Sequence, residues 1–179
     1  MSLEELIAQA DARGLAASGL ACSDRCVSLL VDDELLRPLW AHLVDDSDWS
    51  ESLAKVRAAL GPAEPGSGEG EAAEVARGML LSAPAERDGD AVREWAEACS
   101  SASLRVHRLL DPACGSTEDT DDALPLVAAE LGRQTVVLQL LAEHGPQGLR
   151  RALDVSGEGR RVLRAVVSRR ARGLGGVQT

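Results

Sequence analysis

The sequence predicts an all-α protein, and three observations lead there. Apolar residues recur every three to four positions along most of the chain, and no stretch alternates as a half-buried strand does. The core must be made of Leu, Val, Ala and three Trp, because the chain has no Phe, no Tyr and one Ile (Ile7). Such small side chains suit close helix packing better than a sheet, which favours β-branched and aromatic residues. Capping residues and Gly or Pro stops also punctuate the chain with mostly short connections, which favours antiparallel neighbours in a bundle. The expectation is a compact bundle of about eight helices, with residues 1–179 forming a single all-helical domain.

Each element has its own local cause. Ser2 and Glu5 form a capping box ahead of Leu3, Leu6, Ile7 and Ala10, and Gly14 is a plausible stop. A helix over 15–31 stacks Leu15, Cys22, Cys26, Leu29 and Leu30 on one face. Asp32-Asp33 then caps a short helix carrying Leu36, Leu39, Trp40 and Leu43, which Pro38 should kink or delay. Ser47 is expected to cap the next helix, whose stripe of Trp49, Leu53, Val56 and Leu60 ends at Gly61-Pro62. Residues 61–70, GPAEPGSGEG, read as a flexible linker.

Beyond the linker, a helix over 70–83 places Ala72, Val75, Ala76, Met79 and Leu80 on one side, and Pro84 closes it. The clearest pattern runs over 90–110. Asp90 is expected to cap it and Asp111-Pro112 to end it, with Val92, Trp95, Ala96, Cys99, Ala102, Val106, Leu109 and Leu110 on one face. A polar loop follows over 111–121. The helix expected at 122–144 is apolar nearly all round and stops at Gly145-Pro146; such a helix is normally surrounded by neighbours, which makes it the expected centre, with Leu131 and Leu138 buried. Short helices over 147–154 and 158–171, separated by a loop at Gly157-Glu158-Gly159, and a tail after Gly173 complete the chain.

Composition limits the functional reading. The scarcity of Phe, Tyr, Asn, Ile and Lys, all with AT-rich codons, is the signature of a GC-rich bacterial genome, so eighteen Arg against one Lys (Lys55) is not by itself a sign of phosphate recognition. Few aromatics also means few anchors for pockets, base stacking or interfaces. A net charge of −10 opposes nonspecific binding to nucleic acid or to an anionic membrane. The start, Met1-Ser2-Leu3-Glu4-Glu5, is acidic where a signal peptide is basic. The longest apolar segment, 123–142, is interrupted by Glu130, Arg133, Gln134 and Gln139, which argues against a membrane span. Four irregularly spaced cysteines do not form a secreted disulfide framework. The expected setting is the cytoplasm.

Charge asymmetry is the most distinctive feature. Residues 150–172 hold eight Arg against Asp154 and Glu158, a balance of +6 that leaves −16 for the rest of the chain. In the basic helix expected at 158–171, Val162, Leu163, Val166 and Val167 cluster, while Arg160, Arg161, Arg164 and Arg172 face away and Arg170 falls on the apolar side. The functional reading is a docking surface formed by Arg160, Arg161, Arg164 and Arg172 for another protein or a second copy; nucleic acid is the less favoured partner. The competing reading is a solvated face that screens an acidic body.

Other residues carry less. Cys22 and Cys26 are CxxxC, without the CxxC spacing of redox and zinc motifs, and with Cys99 they read as core thiols; Cys114 falls in a loop. His42, His107 and His144 lie on three helices without metal-ligand spacing. Glu71, Glu74, Glu94 and Glu97 pair on helical faces in a way that could hold a divalent cation. They carry the alternative reading, a metal-dependent hydrolase of a phosphorylated small molecule. The pairs Asp32-Asp33, Asp45-Asp46 and Asp121-Asp122 each precede a helix, where caps belong. With no phosphate loop and no nucleophile elbow, the expectation is a noncatalytic protein-binding or regulatory module without cofactor or bound metal.

Overall fold

A computed structural model describes residues 1–61, 70–114 and 124–175. The described residues form helices and no strand: α1 (Leu3–Gln9), α2 (Ala12–Cys26), α3 (Arg37–Asp45), α4 (Ser50–Leu60), α5 (Gly70–Leu81), α6 (Gly89–Leu110), α7 (Pro125–His144) and α8 (Leu149–Gly175). Short 3-10 turns at Val27–Leu29, Asp33–Leu36 and Gly145–Gly148 join some of them. The all-α bundle expected from the periodicity is therefore the fold. Most of the linker expected at 61–70 and of the loop at 111–121, with Asp121-Asp122, lies outside the described residues.

The capping box of α1 forms as its sequence dictates: Ser2 Oγ accepts from Glu5 N–H, and the Glu5 carboxylate accepts from Ser2 N–H at 2.7 Å. Elsewhere the start signals shift by a few residues. Gly14 is no stop; its N–H donates to Asp11, which caps α2 three residues ahead of the expected start. Pro38 stands in the first turn of α3, where its missing N–H costs nothing, so the helix begins there without a kink. Ser47 bonds His42 and Asp45, and the Asp48 carboxylate takes the Ser50 N–H at the start of α4. Asp88, ahead of Asp90, caps α6 by accepting from Ala91 N–H at 3.0 Å.

α2 is the enclosed helix. Every residue from Gly14 to Cys26 is buried, and the helix packs against α3, α5, α6, α7 and α8. Its small residues permit that enclosure: a Cβ on Gly19 would lie 2.6 Å from the Trp95 ring. Trp95 in turn meets Trp49 edge to face, with centroids 5.9 Å apart, and Arg87 lies over the Trp49 ring at 5.2 Å. The indole N–H groups of Trp40, Trp49 and Trp95 donate to Asp24, the Pro84 carbonyl and the Met79 carbonyl, so each large buried ring keeps its polar atom satisfied.

α7 also packs among α1, α2, α6 and α8, but through a single face. Leu138 is buried as expected. Leu131 is not: it is 41% exposed, and Glu130 and Gln134 occupy the interior. A helix with two apolar sides has no local preference between them, and a polar partner inside the bundle decides the orientation.

The two C-terminal helices expected at 147–154 and 158–171 are one. α8 runs unbroken through Gly157, Glu158 and Gly159, which form no loop. Gly159 is mid-helix because α2 approaches there: a Cβ would lie 2.5 Å from Arg25 Cδ and 3.1 Å from Arg133 Cδ. Close approach, not flexibility, accounts for this glycine.

Candidate functional site

The outward face of α8 is where the structure places the arginines expected to dock a partner, and it divides them. Leu163 and Val166 are buried against the body, with Val162 and Val167 partly buried beside them. Arg160 lies one turn from Leu163 and is mostly buried, its side chain 17% exposed. One of its guanidinium nitrogens donates to buried Asp24 and the other reaches Asp33 at 3.1 Å. Arg164 is more open and lies 3.5 Å from the same Asp33. These two therefore fasten α8 to the segment from α2 to α3, and Arg160 is not available to a partner as the sequence suggested. Burial pushes the Asp24 carboxyl up, and Arg160 and Trp40 oppose that shift.

Arg161 and Arg172 are exposed, with Arg150, Arg151 and Arg169 beside them around the outer side of the helix. Arg161, Arg169 and Arg172 make no hydrogen bond or ion pair with any described residue. From Ser168 to Gly173 all six residues are exposed. Arg170, on the apolar azimuth, donates to the Leu109 carbonyl at 3.0 Å. It finds the C-terminal end of α6, where a cation is favoured, rather than a carboxylate.

The interior holds a charged cluster that the sequence reading did not single out. Arg25 of α2 and Glu130 of α7 form a two-pronged pair, Nε to Oε2 and Nη2 to Oε1, each at 2.7 Å, with both side chains 0% exposed. Glu130 Oε1 also accepts from Ser103 Oγ at 2.7 Å and Gln134 Nε2 at 2.9 Å, and Gln134 ties back to Ser100 on α6. The remaining Arg25 nitrogen, Nη1, reaches Ser156 Oγ at 3.4 Å, and Nη2 also lies 3.4 Å from Cys22 Sγ. Burial raises the Glu130 carboxyl, but Arg25 and then His107 outweigh it and bring the group down to about 2. Burial likewise works against the Arg25 charge, and Glu130 more than offsets it.

His107 completes the cluster. Its Nδ1 lies 2.7 Å from the Ser103 carbonyl, which can only accept, so Nδ1 carries the proton. Its Nε2 faces Glu130 Oε2 at 3.4 Å without a hydrogen bond. Burial lowers the His107 pKa, with Glu130 pulling the other way. Because none of these three side chains is more than 1% exposed, the cluster cannot touch a substrate in this state; it locks α2, α6, α7 and α8 in register. The sequence did carry a signal: Glu130, Arg133 and Gln134 interrupt an otherwise apolar helix, and Arg25 lies one turn from Cys22.

The other sequence candidates separate. Cys22, Cys26 and Cys99 are buried and Cys114 is exposed. Burial pushes the Cys22 thiol up to about 12 and raises Cys26 and Cys99 as well, which keeps them protonated and unreactive. His42 bonds Ser47 and Ser52, while His144 is near Glu143 at the end of α7. Glu71 pairs with Arg105 at 2.6 Å across α5 and α6. Among the described residues no three His, Cys, Asp or Glu side chains come together as a metal would require. No helix among them is long and apolar enough to cross a membrane.

Comparison with protein-family models, with curated proteins and with solved structures finds no match to this chain. What the chain does must be argued from its own surfaces.

Proposed function

We propose that this chain is a noncatalytic cytoplasmic binding module that docks an acidic protein surface through the outward side of α8. The observation that carries this reading is the division of labour among neighbouring arginines. Arg160 and Arg164 anchor the helix on Asp24 and Asp33, while Arg161, Arg169 and Arg172 are exposed, with no hydrogen bond or ion pair to a described residue. An anchored helix presents its charges without the ordering cost that a loose tail would bear on binding. The acidic remainder of the chain opposes an extended polyphosphate, whose charge runs past the helix on both sides, more than a protein surface that is acidic only where it meets α8.

The test is fluorescence anisotropy with a labelled poly-glutamate peptide and, separately, a labelled DNA duplex. The peptide should bind, weaken with added salt as exposed pairs are screened over about 10 Å at 0.1 M, and lose its affinity in Arg161→Glu/Arg169→Glu/Arg172→Glu. Light scattering on the same pair of proteins reports whether a second copy serves as the partner. Peptide affinity that survives the triple reversal, or duplex binding tighter than peptide binding, overturns the reading.

A further inference from the structure

A cavity of about 620 Å³ opens between α1, the first turn of α2 and the end of α7, and none of its lining residues belongs to α8. The volume is in the range of small-molecule sites, which are mostly apolar with a few placed polar groups. Its apolar wall is formed by Leu6, Leu138, Leu141 and Pro146. Its polar groups are few, and they differ in how far they are already engaged. The Asp11 carboxylate caps α2 through the Gly14 N–H at 2.7 Å. Arg13 is different. Its side chain is 27% exposed, makes no hydrogen bond with a described residue, and reaches only Asp46 at 3.5 Å. Asp46 is itself 67% exposed and 3.8 Å from Arg87. No Arg13 nitrogen is buried without a partner, so water reaches its donors, and the long contact with an exposed Asp46 leaves the guanidinium open to a better-placed carboxylate.

We propose that this cavity binds a small amphipathic monocarboxylate. Its apolar body lies against Leu6, Leu138 and Leu141, and its carboxylate takes the position near Arg13 that Asp46 now approaches. Arg13 is the group fitted to it, because a guanidinium binds a carboxylate through two parallel N–H donors. This site is independent of the α8 surface, so either assignment can fail alone.

Isothermal titration calorimetry with decanoate, and with decanol as the uncharged match, tests the proposal on the full chain. Decanoate should bind saturably and more tightly than decanol. Arg13→Gln should weaken decanoate about tenfold, the worth of one charged hydrogen bond, while leaving decanol unchanged. Ala142→Trp, at an exposed position on the cavity lining, should weaken both by filling the space, and far-UV circular dichroism checks that each variant keeps its helices. Absence of saturable decanoate binding overturns the site. Equal affinity for the two ligands, insensitive to Arg13→Gln, overturns the carboxylate assignment. Binding unaffected by Ala142→Trp places the ligand elsewhere and also overturns it.

Discussion

Two arginine–glutamate pairs in this molecule have almost the same length and very different surroundings. Arg25 and Glu130 meet at 2.7 Å with both side chains 0% exposed, and Arg105 and Glu71 meet at 2.6 Å with side chains 58% and 62% exposed. Distance alone would rank them equal. Burial does not, because removing one member of the inner pair strands a charge where water cannot reach it, whereas the outer pair only exchanges a partner for solvent. The inner pair also gains from Ser103, Gln134 and Ser156, which satisfy its remaining polar atoms. The worth of an ion pair here is set by what else surrounds it.

The largest effect should come from breaking the inner pair on one side. Arg25→Met leaves Glu130 buried and unpaired, and should cost about 3–5 kcal/mol in urea unfolding. Replacing both, Arg25→Met with Glu130→Leu, should recover most of that loss, because apolar groups of similar volume need no partner. A double variant as unstable as the single would show that the attraction within the pair is worth more than its desolvation.

Acid should act on the same pair. The folded Glu130 carboxyl sits at about 2 against an ordinary 4.5, so its contribution is fully present above 4.5 and is lost as pH falls through about 2. His107 has a folded pKa below its ordinary 6.5, so its contribution is present above 6.5 and is also lost on acidification. Both signs agree. The stability advantage of the wild type over Glu130→Gln should shrink as pH falls from about 4.5 to about 2, measured by chemical unfolding at each pH. An advantage that grows over this window would mean that the carboxyl is held protonated in the fold.

How much of this was legible in the sequence depends on whether the cause was local. Ser2 and Glu5 settle the start of α1 within four residues, and the stripe from Val92 to Leu110 gives the apolar part of the buried face of α6, so both could be read directly apart from the buried Ser100, Ser103 and His107. The orientation of α7 could not. Its sequence offers two apolar sides, and the side turned inward is chosen by Arg25, 105 positions away. Gly157-Glu158-Gly159 reads locally as a break because glycine weakens a helix, yet the approach of Arg25 requires the missing side chain at Gly159. The arginines of α8 were legible as a charged face, but the split between Arg160 and Arg161 depends on Asp24 and Asp33, which only the fold brings there. The cavity beside Arg13 joins the first 14 residues to Asp46 and to the end of α7, far away in sequence, and left no local trace.

Two glycines sharpen the contrast at an intermediate scale. Gly159→Ala drives a methyl group into Arg25 and should destabilise by about 1–3 kcal/mol through overpacking. Gly132, exposed on the outer side of α7, has nothing within 4 Å of an added Cβ. Gly132→Ala should therefore stabilise by about 0.5–1 kcal/mol through helix propensity. Thermal unfolding of the two variants beside the wild type should move in opposite directions. If both shift the same way, the close approach of α2 and α8 is not what fixes Gly159.

The smallest effect belongs to the outer pair, and it is the sharpest test of the comparison. Glu71→Gln and Arg105→Gln, made singly and together, isolate the interaction between these side chains from the other effects of each substitution. For two half-exposed groups the coupling should be about 0.2–1 kcal/mol, because water already solvates both charges and ordering two long side chains opposes the attraction. It should fall further in 1 M salt, where the screening length is about 3 Å. The inner pair should hold its coupling under the same salt, since ions cannot enter a site with no exposed surface. A salt-resistant outer coupling as large as the inner one would mean that the interface between α5 and α6 excludes water better than the exposure of Glu71 and Arg105 indicates. Burial would then no longer separate the two pairs.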